Sequence, residues 1–355
     1  MPDLRNVPLD AAAWGWADGD VQDAEYRGRR CIEFAETVDL IVALDGVEIT
    51  DGVIEIDMAV TGDRAFHGVV WRVHDRENYE SFYVRPHQVG NPDSMQYTPV
   101  FNDVASWQLY HDAGSWAAVD FPIGEWFTVR VVFEGARAEV FVGDMIAPAL
   151  EVAELKMPVS AGSVGILIGG PGLYVSRFAC SDAPVPFAGA ETLPPARTAG
   201  IVPAWLVSDA FEEPDPPPAR LAVDALAAHT WTRLEAEPSG LVNLAIANGI
   251  RGDRNTVWAR TTIRSAAARL VAMHLGFSDR AVVCLNGTAL FRADDTYRSR
   301  DYRFLGSIGW YDTVYLPLIE GDNELVVAVS ETFGGWGIQA RFDDLEGIRL
   351  EDPVI

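Results

Sequence analysis

Four of the six histidines of this chain, His67, His74, His87 and His111, lie between Phe66 and Trp116. The same stretch holds Trp71, Tyr79, Tyr83, Tyr97, Trp107 and Tyr110, together with Arg72, Arg85, Asn91 and Asp93. Imidazoles serve as metal ligands or as proton carriers near neutral pH. Zinc sites usually announce themselves by short histidine spacings that bring ligands together locally. None of the spacings here is of that kind, so no metal site is assigned. Alternation along a strand puts Arg72 and His74 on one face, and Tyr83 and Arg85 on one face of the next strand. The loop that follows, Arg85-Pro86-His87-Gln88-Val89-Gly90-Asn91-Pro92-Asp93, is polar and stiffened by proline. Such loops on a rigid scaffold commonly carry binding groups. Arginine, histidine, asparagine and aspartate bond vicinal hydroxyls, and Tyr97, Trp107 and Tyr110 could stack on the apolar face of a sugar ring. The ligand-binding candidates are therefore Arg72, His74, Tyr83, Arg85, His87, Asn91, Asp93, Tyr97 and Trp107. A general acid/base role is open to His87 with Asp93 or Asp75.

Other chemistries find little support. No GxSxG nucleophile elbow is present, and no cysteine has a histidine beside it in sequence. Gly169-Gly170-Pro171-Gly172 lacks the Lys-Ser/Thr of a phosphate loop and reads as a turn.

The elements that must position these residues are strands. Runs such as VIEIDMAV (53–60), GVVWRVH (68–74), FTVRVVFEG (127–135) and SVGILIGG (163–170) alternate with period two and are separated by Gly, Asn and Asp. In FTVRVVFEG, Phe127, Val129, Val131 and Phe133 share one face. Residues 181–200 lose the alternation and are rich in Pro, Ala and Gly, which reads as a semi-extended linker. Strands resume from about residue 231, and Asn286-Gly287 between two apolar runs is a hairpin signal. LAVDALAAHTW (221–231) is the one short stretch with a helical-turn reading. The expectation is an all-β chain of two tandem antiparallel β-sandwiches, spanning 1–181 and 203–355, with a linker over 182–202.

At 355 residues the chain is long enough for two such domains. Its 52 acidic against 27 basic residues give a formal charge of −25, which repels phosphates and anionic lipid. Neither nucleic acid nor membrane is an expected partner. Lys156 is the only lysine. Cys31 and Cys180 fall in strands near the two ends of the first domain, but buried free thiols are the preferred reading for all three cysteines. The N-terminus lacks the pattern of a secretory signal, so a cytoplasmic location is expected.

The first half resembles the concanavalin A-like lectin/glucanase, or laminin-G-like, fold. The residues that carry this are VIEIDMAV, GVVWRVHDRENYESFYVRPH, EWFTVRVVFEGARAEVFVGD and SVGILIGGPGLYVSRFAC, over roughly residues 28–181. The second half is similar to galactose-binding-like jelly rolls, on LGFSDRAVVCLNGTALFR and LPLIEGDNELVVAVSE. Glu55-Ile56-Asp57 also resembles the strand on which laminarinase-like glycoside hydrolases carry their carboxylates. Here the next residue on that face is Ala59, so the acid/base glutamate is missing and Glu55 and Asp57 remain weak catalytic candidates. By analogy with related jelly rolls, calcium could sit at Asp322 or Asp279, although no spacing demands a cofactor.

In the second domain, residues 296–316 concentrate aromatics and arginines, and Phe333-Gly334-Gly335-Trp336-Gly337 flanks a tryptophan with glycine. Such glycines allow a ligand or another backbone to come close. Arg300, Trp310 and Trp336 are the candidates there. The sequence as a whole points to a saccharide or glycoside ligand bound by a non-catalytic or accessory protein. A glycoside-processing enzyme using residues 55–111 and a protein–protein interaction module, including a homo-oligomer, are the alternatives.

Overall fold

The structure is a computed structural model that describes residues 4–10, 14, 21–34, 40–189, 196–214, 219–221 and 224–354. It is all-β and antiparallel, as expected. The chain forms two compact units. One comprises residues 1–100 and 110–194; the other comprises 101–109 and 195–355.

In the first unit, one sheet runs Leu150–Val152, Arg137–Val142, Trp126–Glu134, Gly52–Val60, Leu173–Ser181, Arg29–Phe34 and Val21–Tyr26. Arg5–Val7 also pairs with Leu173–Ser181. The facing sheet runs Trp116–Ala117, Met95–Phe101, Asn78–Val84, Phe66–Asp75, Ser163–Gly169 and Leu40–Ala43. Phe127, Val129, Val131 and Phe133 do share the inner face and pack with Ile54, Ile56, Met58, Val69, Trp71, Phe82 and Ile166. Alternate residues along each strand supply this core, which is what period-two patterning predicts.

The proline-rich stretch after Ser181 departs from the linker reading. Residues 182–189 belong to the first unit, where Val185 and Phe187 pack with Val53, Val132 and Phe141 on the outer face of the first sheet. Glu139, itself buried, accepts the Ala188 N–H (2.7 Å) and the Gly189 N–H (2.7 Å). The Arg137 guanidinium lies 4.6 Å over the Phe187 ring. The outer face of this sheet has apolar residues to cover, and the stretch covers them. Of the rest of the expected linker, residues 190–195 lie outside the described residues, and 196–202 belong to the second unit, where the Val202 N–H donates to Ala340 O (2.9 Å).

In the second unit, one sheet runs Trp231–Glu235, Ala204–Ser208, Arg254–Ser265, Gly321–Ser330, Arg280–Leu285 and Thr288–Asp294. The other runs Leu241–Asn243, Gly337–Phe342, Arg269–Ser278 and Asp312–Leu318. Asn286 (φ 48) and Gly287 (φ 75) make the expected tight hairpin. Residues 224–228 form turns rather than a helix.

The three cysteines are buried, free thiols. Cys31 and Cys180 lie on adjacent strands, but Cys180 stands opposite Ile54 and Arg5. No helix among the described residues is long and apolar enough to cross a membrane.

Candidate functional site

The stretch from Phe66 to Trp116 does not converge on one surface. Arg72 breaks the alternation on which its assignment to the face of His74 rests. It sits in a bulge with φ 48, and its side chain is fully buried. The guanidinium donates to Thr50 O (3.1 Å) and Gly135 O (2.5 Å) and reaches Asp51 Oδ1 at 3.4 Å. Arg72 thus ties two turns together inside the sandwich and is withdrawn as a ligand group. His74, by contrast, is exposed, 3.1 Å from Ser160 Oγ.

Tyr97 is also a core residue. Its ring packs against Trp71, its hydroxyl donates to Glu80 Oε2 at 2.6 Å, and it accepts the Lys156 N–H at 2.8 Å. Alternation from Met95 puts it inward, and a buried tyrosine needs partners for its hydroxyl, which these groups supply. Tyr110 is buried too, beneath the Lys156 ammonium at 5.3 Å.

Tyr83 and Arg85 do share a face, where they join Gln96 and Thr98. Arg85 Nη2 donates to the Tyr83 hydroxyl (3.3 Å) and to Gln96 Oε1, Thr98 Oγ1 donates to the Tyr83 hydroxyl (3.2 Å), and Gln96 Nε2 donates to Tyr110 O (2.6 Å). All four are buried. Their donors and acceptors are spent on one another and on the carbonyls of Tyr110 and Asp93, so the network is directed inward.

The loop after Arg85 begins with a 3₁₀ turn, Pro86–Gln88. It is stitched by backbone bonds from Gln88 to Arg85 (2.9 Å), Asn91 to Gln88 (3.0 Å) and Ser94 to Asn91 (3.0 Å). Asn91 is exposed and bonds Gln88; Asp93 uses its carbonyl to accept from Arg85 Nη1. His87 packs edge-on against Phe66, ring centroids 5.6 Å apart. Burial, then the charges of Arg64 and Arg85, push its pKa below the ordinary imidazole value. His67 is wholly buried beside Pro171 O (3.0 Å), and burial drives its pKa down to about 4. His111 faces Trp116. The four histidines therefore stand in four separate environments, and no group of three or more His, Cys, Asp or Glu among the described residues could hold a metal ion.

Glu55 and Asp57 lie on the outer face of the first sheet. Glu55 is buried and accepts from Arg130 Nε (2.6 Å) and Arg177 Nη1 (2.8 Å); Asp57 accepts from Thr128 Oγ1 (2.6 Å). Both oxygens of the Glu55 carboxylate are thus taken up by guanidiniums.

Trp107 leads elsewhere. It belongs to the segment 101–109 of the second unit, together with Gln108 and Leu109. Gln108 is fully buried there. Its N–H donates to Gly334 O (2.8 Å), its carbonyl accepts from Ile308 N (3.0 Å), and Nε2 donates to Leu305 O (2.7 Å). A Cβ added at Gly334 would lie 2.2 Å from Gln108 Oε1, and one at Gly337 would lie 2.5 Å from Leu109 Cδ2. The glycines around Trp336 thus make room for the side chains of Gln108 and Leu109 and, at Gly335, for the Ser106 backbone. Trp336 itself is core, donating to Val329 O at 3.0 Å, and is withdrawn as a ligand residue.

What this docking leaves at the loop end of the second unit is an aromatic group. Phe333 is 55% exposed. Trp107 meets it at 5.6 Å and Tyr297 at 6.3 Å, both edge-to-face. Arg298 lies 4.9 Å over Tyr297. Thr332, exposed, receives a hydrogen bond from Arg280 Nη1 on its hydroxyl (3.2 Å). Tyr297 and Phe333 lie in the two stretches that the sequence marks in this unit, but neither is among the candidates Arg300, Trp310 and Trp336.

Arg300 stands apart from that group, clamped between Asp295 (2.5 Å) and Asp312 (2.6 Å) and 5.3 Å over Tyr311. Trp310 is half-buried under the Arg341 guanidinium at 5.3 Å. Of the two calcium positions, Asp322 is an exposed partner of Arg264 at 3.7 Å. Asp279 is buried.

The fold and these surfaces define a two-unit, all-β antiparallel protein. No protein-family model matches the chain, and no curated protein matches it in sequence. Among solved structures, a carbohydrate-binding module from Bacillus subtilis is 14% identical, over 46% of this chain and 96% of that one, with a TM-score of 0.34. A Bacillus licheniformis β-glucanase is 8% identical over 51% of this chain and 92% of that one, TM-score 0.34. Chicken galectin 2 is 14% identical over 38% and 92%, TM-score 0.26.

Proposed function

We propose that this protein binds saccharides without transforming them, and that the principal site is the Trp107–Tyr297–Phe333 group of the second unit. The observation that carries the reading is Phe333, more than half exposed and held edge-on by two further rings. An exposed aromatic face stacks on the C–H face of a pyranose, while Arg298 and Thr332 at its margin can bond hydroxyls. An exposed aromatic ring also suits a nucleobase, but a net charge of −25 opposes approach of a phosphate backbone. Non-catalytic binding is favoured because both oxygens of Glu55 are engaged by Arg130 and Arg177.

A glycan array followed by calorimetry on the hits tests this. Binding that is lost in Phe333→Ala and Trp107→Ala, with unchanged circular dichroism, supports the assignment. Silence across saccharides refutes the function; full affinity in both variants refutes the site.

A further inference from the structure

The strand pairing of the second unit places two acidic residues directly opposite each other. Arg280 pairs with Ser330, so the preceding Asp279 and the following Glu331 are cross-strand neighbours at the end of the ladder. Such neighbours have Cβ atoms about 5 Å apart on one face of the sheet. That face is the core face: Glu331 continues the series Leu325, Val327 and Val329, all fully buried. Asp279 is 1% and Glu331 0% exposed.

Each carboxyl has one oxygen satisfied and one not. Asp279 Oδ2 accepts the Thr332 N–H at 3.0 Å, and Glu331 Oε1 accepts the Phe333 N–H at 2.7 Å. Asp279 Oδ1 and Glu331 Oε2 are buried with no hydrogen-bond partner. Leaving two such acceptors empty in the core is costly, and leaving both groups ionised side by side is costlier. We infer that Asp279 and Glu331 hold one proton between them, Glu331 donating from Oε2 to Asp279 Oδ1 as a carboxylic acid–carboxylate pair. One proton removes one of the two charges and fills both vacant positions at once. A metal ion fits less well, because a hard cation takes six or more oxygens and no group of three or more metal-binding side chains gathers among the described residues.

The surrounding charges agree. Burial, then the neighbouring charge of Asp279, pushes the Glu331 pKa well above the ordinary carboxyl value; its contacts with Phe333 N–H, Ser278 and Gly335 N–H oppose this. Burial also raises Asp279, against the Thr332 hydrogen bonds and the Arg280 guanidinium, with Asp294 adding to the rise. Arg280 is itself engaged by Glu213 at 2.7 Å. The folded unit therefore keeps a proton that the unfolded chain releases, and the pair's contribution to stability is full at acid pH and lost as pH rises through its folded range.

The test uses the ligand-free full chain, so it stands or falls independently of saccharide binding. Glu331→Gln is the discriminating variant, since its amide N–H can donate to Asp279 as the acid does. Infrared difference spectra at neutral pH should show a protonated-carboxyl carbonyl band in the native protein that Glu331→Gln lacks. The variant should also keep its melting temperature at neutral pH and lose part of the alkaline decline. Asp279→Asn supplies the same readings if Glu331→Gln does not fold. Absence of the band, or a rise in melting temperature with calcium chloride that Glu331→Gln abolishes and Asp322→Asn retains, overturns the inference.

Discussion

The Tyr97 hydroxyl donates to Glu80 Oε2 at 2.6 Å inside the first sandwich, and Glu80 Oε1 accepts the Met157 N–H at 2.9 Å. Burial raises the Glu80 pKa from 4.5 to about 6, against the pull of these two hydrogen bonds and of Arg72 and Lys156. A raised carboxyl pKa means that folding takes up a proton. Its stabilising effect is complete below the unfolded value and is lost as pH rises through the folded value, a change on the order of 2 kcal/mol. Glu80→Gln should remove that component. Denaturant unfolding of both proteins across mildly acid pH measures it; identical pH dependence would refute the assignment.

Tyr97→Phe should destabilise the first unit by about 1–3 kcal/mol, because the Glu80 carboxyl and the Lys156 N–H both lose a buried partner. Saccharide affinity should stay unchanged, since the ring is core. Chemical denaturation and calorimetry read the two quantities separately.

Arg72→Met keeps much of the buried volume but strands the carbonyls of Thr50 and Gly135. The expected cost is about 2–4 kcal/mol, with no effect on ligand binding. A loss of affinity without a loss of stability would restore Arg72 as a ligand residue.

Glu139→Ala removes the acceptor for the N–H groups of Ala188 and Gly189. Cleavage within residues 182–189 under limited proteolysis should accelerate several-fold, because opening of this stretch then loses its polar anchor. An unchanged cleavage pattern would show that Phe187 and Val185 hold it alone.

His87→Ala should leave saccharide affinity within about two-fold if the aromatic group of the second unit is the site, whereas Phe333→Ala should weaken it at least ten-fold, about 1.4 kcal/mol. The reverse pattern would return the site to the loop after Arg85.

The sequence by itself determined the all-β class, the strands and which residues of each point inward. Period two is a local property, so Phe127, Val129, Val131 and Phe133 could be placed in the core from their spacing, and Asn286-Gly287 could be placed in a hairpin from backbone preference. Where the alternation slips, local reasoning fails. One bulge at Arg72 turned an expected ligand group into an internal tie, and continued alternation at Tyr97 made an expected stacking residue a core residue. Only the tertiary structure decided that Glu55 is engaged by Arg130 and Arg177, which lie 75 and 122 residues away in sequence. It alone brought Trp107 to Phe333 and set Asp279 opposite Glu331, because register between distant strands follows from the packing of the whole sheet rather than from any stretch of it.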